Sequence, residues 1–196
     1  MKIPSLPDWA FLPLSALTIA GMIYGALQFG SNNLRSFEEI RTEGVLIEGD
    51  MLQGMVTGPG LAATFLDDRG TTIARVTAVR GPLDGTQSAG AFFALSPNEL
   101  AALQGHSLSV RMTVRSAATD GADRIRATVF VPGMSQSDWQ EYPVSSNFEE
   151  VSFILIPPSC IWDYGYAGMW PDWQSGANTI EVARVSIEVH EAQDCD

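Results

Sequence analysis

The sequence predicts a mainly β protein, one antiparallel β-sandwich domain carried on a single N-terminal transmembrane α-helix. An uncharged run, an alternation and a chain length carry that expectation. Residues 9 to 29, WAFLPLSALTIAGMIYGALQF, contain no charge; at about 1.5 Å per residue such a run makes a helix about 30 Å long, the thickness of a bilayer's hydrocarbon core. Further on, Leu108, Val110, Met112 and Val114 alternate with Ser109, Arg111, Thr113 and Arg115, as in a strand with one face in a core and one in water. A chain of 196 residues has room for one well-cored domain and an anchor, and not for two ordinary domains with a membrane segment.

The anchor is expected over residues 9–30, after a short cytoplasmic segment, 1–8. Pro13 falls in the first turns, where its missing donor matters least, and Trp9 sits where an interfacial aromatic belt would be. A cleaved signal peptide is the competing reading. The apolar run is longer than a typical signal core, and Gln28 and Phe29 interrupt any small-residue cleavage site after Gly25-Ala26, which favours an uncleaved signal anchor. Flanking charge leaves the orientation open, with Lys2 on one side and Arg35 and Arg41 on the other. Long domains translocate with little regard to such charge, so the paired cysteines place the C-terminal domain on the oxidising side. Within the helix, Gly21 and Gly25 form a small-xxx-small pair that would let another helix approach closely.

Composition narrows the partners. A formal net charge of −12 and a pI near 4.4 oppose nucleic-acid binding, which relies on clustered Lys and Arg. Lys2 is the only lysine, and Ala and Gly are abundant, a bias that reads as a GC-rich bacterial genome. The expected address is therefore a bacterial inner membrane, single pass, with the domain in the periplasm.

Residues 31–44 read as a juxtamembrane linker with one helical turn through Phe37 to Arg41, and residues 45–196 as the sandwich. RIRATVFV repeats the alternation, with Ile125, Ala127, Val129 and Val131 inward. Asp120-Gly121 in the connection predicts a hairpin between these two strands. Other strands are expected from Val45 to Ile47 and on towards Val56, and over Thr72–Val79, Gly90–Leu95, Val151–Ile156 and Thr179–Val189. The last changes parity and needs a bulge near Ala183-Arg184. Ser96, Pro97 and Glu99 form a capping-box start for a short helix that Gly105 ends. Cys160 and Cys195 are an even pair whose disulfide would tie the last strand to an earlier loop, stabilising the fold by about 3 to 4 kcal/mol in the chain-entropy model.

The segments AGAFFALSPNELAALQG, HSLSVRMTVRSA, DWQEYPVS, FEEVSFILI and IEVARVSIEV, in that order, resemble the galactose-binding-like jelly roll of many carbohydrate-binding modules. The resemblance covers roughly residues 45 to 191 and is one of strand order and punctuation. It implies a jelly-roll sandwich, and members of that fold bind sugars, bind proteins, or pack against a neighbouring domain.

Chemistry is expected first at CIWDYGYAGMWPDW. Trp162, Tyr164, Tyr166, Trp170 and Trp173 crowd a segment that Gly, Pro and Asp make unlike a strand. Such rings suit stacking on sugars or anchoring a protein partner, with Asp163 and Asp172 as acceptors for hydroxyls. The alternative is a loop that folds over an open end of the sandwich and buries its own rings. Arg111, Arg115, Arg124 and Arg126 share the outward parity of the expected hairpin and would form one anionic-ligand patch, or a solvated face paired with Asp120, Asp123 and Glu141. Glu48, Asp50, Asp67, Asp68 and Glu181 are available to a structural calcium ion, but no spaced ligand motif assigns one, so no metal or other cofactor is expected. His106 and His190 have no nucleophile motif beside them, and no Gly-rich phosphate loop, HExxH or CxxC occurs. The sequence thus reads as a non-enzymatic membrane-anchored interaction module, an accessory or assembly component of an envelope complex with a membrane or periplasmic protein partner. The alternative is a lectin-like module for envelope or exported polysaccharide.

Overall fold

The computed structural model describes residues 35–81, 90–135, 138–174 and 176–193. The expected anchor with Gly21 and Gly25 lies outside the described residues, as does Cys195 with its bridge. Among the described residues no helix is long and apolar enough to cross a membrane.

The compact unit begins at Phe37, eight residues before the expected boundary. Helix α1, Phe37–Glu43, carries Glu38 and Glu39 in its first turn and Arg41 in its last, the arrangement that complements a helix dipole. It belongs to the domain because Ile40 is buried in the core. Arg41 donates to Nε2 of His106 at 3.2 Å, while the other ring nitrogen lies 3.0 Å from the Gln104 carbonyl. A guanidinium only donates and a carbonyl only accepts, so His106 carries its proton on Nδ1.

Eleven strands follow among the described residues. β1 (Val45–Glu48) does not run on to Val56; a 3-10 helix, Gly49–Gly54, breaks it by turning Leu52 into the core. Then come β2 (Val56–Thr57), β3 (Leu61–Asp68), β4 (Thr71–Ala78), β5 (Ala91–Ala94), β6 (His106–Ser116), β7 (Arg124–Phe130), β8 (Gln140–Pro143), β9 (Glu149–Leu155), β10 (Tyr166–Pro171) and β11 (Thr179–Ala192). Between β5 and β6 lies helix α2, Pro97–Leu103, with the expected capping box: Ser96 accepts from the Glu99 amide and Glu99 reaches back to the Ser96 amide.

The larger sheet has the order β3-β4-β11-β6-β9, with β1 also paired to β11. The smaller has β10-β7-β8, and β2-β5 adjoins it through a bridge between Gly90 and Met169 and a 2.9 Å bond from Leu95 N to Gly165 O. The pairs β4/β11, β5/β10, β6/β9 and β7/β8 are therefore nested one inside another, which is the topology of a jelly roll. Leu108, Val110, Met112 and Val114 from one sheet meet Ile125, Ala127 and Val129 from the other in a single core. The predicted bulge is present, as the β11–β6 register shifts between Val182 and Arg184.

Nesting overturns the expected β6–β7 hairpin, since the two strands lie in different sheets. Asp120-Gly121 makes a crossover instead, latched to the start of β11: Asn178 N and Thr179 N donate to Asp120 O at 2.7 and 2.8 Å. Asp120 has φ 52°, and a Cβ on Gly121 would collide with the Ala117 carbonyl and the Ser116 hydroxyl. The tight hairpin lies elsewhere, at Arg69-Gly70 between β3 and β4, where both residues have positive φ (59° and 85°), as a two-residue hairpin turn requires.

The outer face of the larger sheet is a ladder of ion pairs. Glu181, only 3% exposed, lies across from Arg75 on β4 and Arg115 on β6. It accepts from Arg75 Nε at 3.0 Å and Arg115 Nε at 2.6 Å. Burial alone would raise its carboxyl, but the two guanidiniums outweigh that effect and hold it below the ordinary carboxylate value.

Candidate functional site

The outer face of the smaller sheet gathers the aromatic side chains. Register places Tyr166, Gly168 and Trp170 of β10 opposite Phe130, Thr128 and Arg126 of β7, and Arg126 opposite Glu141 of β8. Alternation puts these side chains on one face, while Ala127, Val129, Ala167 and Met169 fill the core from the other. Gly168 leaves a gap in side-chain volume opposite Thr128.

Trp170 is on this outer face yet only 1% exposed, because two further indoles cover it. Trp139 and Trp173 meet it edge to face at centroid distances of 6.4 and 6.2 Å, and its Nε1 donates to the Arg80 carbonyl at 3.0 Å. Trp139 and Trp173 are themselves only half-buried. The Arg126 guanidinium lies 4.8 Å from the Trp173 ring centroid, a cation–π distance. Gly81 backs the same indole so closely that any Cβ there would collide with it.

One carboxylate serves both cations of this rim. Glu141 accepts from Arg124 at 2.8 Å and from Arg126 at 3.4 Å. The hydrogen bond from Arg124 is the main cause that holds the Glu141 carboxyl below its usual value, and the same bond raises Arg124. Two polar groups of this region, Thr128 Oγ1 and Trp139 Nε1, are buried without a hydrogen-bond partner among the described residues. Buried polar groups are nearly always satisfied, so a donor and a hydroxyl remain to be accounted for here.

The aromatic row continues along the face. Tyr164 stacks on Tyr166 at 5.6 Å, and Phe92 of β5 meets Tyr166 edge to face at 4.9 Å. All three rings are half-buried. The segment expected as a loop is thus partly strand: alternation over Tyr166–Pro171 outweighs its Gly and Pro, because Pro171 falls at the strand's end, where a missing donor is tolerated.

The other expected site residues disperse. Trp162 belongs to the core, and its Nε1 donates to the Ser159 carbonyl at 2.6 Å. Asp163 is exposed, and Asp172 Oδ1 accepts from the Gln174 amide at 3.1 Å. The single arginine patch does not exist, because the missing hairpin divides it between the sheets. Arg111 pairs with Glu188 at 2.7 Å and Arg115 with Glu181 and Asp68 on the larger sheet, while Arg124 and Arg126 share Glu141 on the smaller. The carboxylates considered for calcium are likewise engaged: Glu48 with Arg184, Asp50 with Thr72, Asp67 with the Gly70 amide, Asp68 and Glu181 with arginines. Among the described residues no group of three or more His, Cys, Asp or Glu could hold a metal ion.

Sequence reasoning missed Trp139, Thr128 and Phe92 as members of the face. Trp139 stood out in DWQEYP, but nothing local shows that it packs on Trp170, thirty-one residues later.

No protein-family model and no curated protein matches the chain. Solved structures to which it is similar include carbohydrate-binding modules. The CBM22-1 xylan-binding domain of Paenibacillus barcinonensis Xyn10C aligns at 12% identity and TM-score 0.49, covering 76% of this chain and 94% of that one. The CBM22-1–GH10 modules of Clostridium thermocellum endo-1,4-beta-D-xylanase 10B, complexed with xylohexaose, align at 13% identity and TM-score 0.48. There the alignment covers 74% of this chain and 29% of the xylanase chain.

Proposed function

We propose that this chain is a membrane-tethered, non-catalytic module that binds polysaccharide on the outer face of its smaller sheet. One observation carries the reading: Trp139 and Trp173, half-buried, flank Trp170 on a sheet face beside Arg126 and Glu141. Indole faces suit the apolar faces of sugar rings, and hydroxyl-rich ligands supply both donors and acceptors. Arg124 and Arg126 already share Glu141, so rings rather than charge would carry the affinity, and binding should vary little with salt.

The uncharged run before residue 35 supports an uncleaved anchor, and the domain then lies outside the cytoplasm. There Cys160 and Cys195 form a disulfide; Cys160 Sγ is 3.8 Å from the Gln193 side chain, two residues before Cys195. A protein partner is the second reading, favoured by a cleft of about 520 Å³ whose lining includes Met134, Trp139, Ile154 and Pro158.

Affinity electrophoresis of the full chain in detergent against a polysaccharide panel tests the first reading. Retardation by at least one glycan is expected, with Trp173→Ala weakening it about tenfold, equivalent to about 1.4 kcal/mol, while the melting temperature falls less than it does in Trp170→Ala. No retardation by any glycan, or full binding by Trp173→Ala, sinks it. Stoichiometric co-purification of a membrane protein would favour the second.

A further inference from the structure

The end of the sandwich opposite Thr179 carries an uncharged, exposed apolar edge. Residues 154–162, ILIPPSCIW, hold no charge in an acidic protein. Within them Ile156 is 72% and Ile161 81% exposed. The segment is braced from inside: Gln193 Nε2 donates to the Pro157 carbonyl at 3.3 Å, Ser159 Oγ donates to the Ile161 carbonyl at 2.9 Å, and buried Trp162 bonds back to Ser159. Ile161 is therefore presented on a fixed turn.

The same end receives the chain from its N-terminal side. Leu155 pairs with Leu108 and Ala192 with His106, and Arg41 of α1 reaches His106. Between the expected anchor, ending at residue 30, and Phe37 lie six residues, so the two positions are at most about 25 Å apart when the chain is fully extended. The end of the domain that holds α1 is thereby tethered close to any bilayer the anchor occupies. From this tether, the absence of charge in the segment and the exposure of its isoleucines, we propose that Ile156 and Ile161 insert into the interfacial region of a lipid bilayer as a second, shallow contact. Burial of two such side chains in the acyl boundary is favourable. Exposed Glu191 and Asp163 at the same end select for zwitterionic rather than anionic headgroups. The inference rests on the membrane-anchor reading.

The full chain, labelled at isoleucine methyl groups, is placed in phosphatidylcholine nanodiscs carrying nitroxide lipids, with headgroup and mid-chain labels in separate samples. Headgroup nitroxide should abolish the Ile156 and Ile161 signals, assigned through Ile156→Val and Ile161→Val, and leave that of Ile180 at the opposite end of β11. Loss of the Ile19 and Ile23 signals to mid-chain nitroxide, with Ile156 and Ile161 untouched by headgroup label, overturns the lipid contact while the anchor stands. Survival of Ile19 and Ile23 beside mid-chain label overturns both. Broadening of Ile156 and Ile161 that tracks protein concentration without nitroxide would assign the edge to a second copy and overturn it as well.

Discussion

Individual tryptophans in this domain differ in what they do although the sequence presents them alike. Trp170 is sealed beneath two other indoles and spends its N–H on the Arg80 carbonyl, so Trp170→Ala should cost about 3–5 kcal/mol of stability, read as a lower urea midpoint. Trp173, over which Arg126 lies, is expected to lose ligand rather than fold. Glu181 supplies the pH dependence. Its folded carboxyl lies below the ordinary value, so its contribution is complete above the unfolded pKa of about 4.3 and is lost as pH falls through the folded value. The stability gap between the native protein and Glu181→Gln should therefore be widest near neutral pH and close below about pH 4; a gap that widens in acid would refute this account. Parity was enough to foresee that Arg111, Arg115, Arg124 and Arg126 point outward. It could not say which sheet each strand joins, and that decides their partners.

Among elements, those with a strong local signal were legible. β6, β7 and β11 alternate cleanly, and the change of parity in β11 betrayed its bulge. Helix α2 was legible through its cap, and Ser96→Ala should cost about 1 kcal/mol, measured by thermal or urea unfolding. β3 escaped because LAATFLDD alternates weakly, its edge position leaving Ala62, Thr64 and Phe65 exposed. β10 escaped because Gly165, Gly168 and Pro171 obscure the alternation of its segment. The β6–β7 connection was misread for a physical reason: an Asp-Gly step satisfies a tight hairpin and a crossover equally, and only the bonds to Asn178 and Thr179 distinguish them. Gly121→Val forces a side chain into the Ala117 carbonyl and should cost about 1–3 kcal/mol. Of the outer aromatic face, Tyr166, Trp170 and Trp173 were legible as one crowded segment, whereas Trp139 and Phe92 were not, because strands far apart in sequence bring them there.

For the molecule as a whole, the nested pairing sets the order in which parts depend on one another. With the proposed bridge in place, Cys160→Ser should lower stability by about 2–4 kcal/mol, and reductant should bring the native protein to the same melting temperature. Among the described residues the longest strand, β11, is also the last in sequence, and it lies between β4 and β6 with β1 beside it. A growing polypeptide therefore holds both neighbours of the central strand before that strand has been made. Pairings this distant in sequence are slow to form, so protease resistance should arise late and all at once, after synthesis passes Thr179. Until then, a helper that shields open sheet edges would be of most use to the nascent chain.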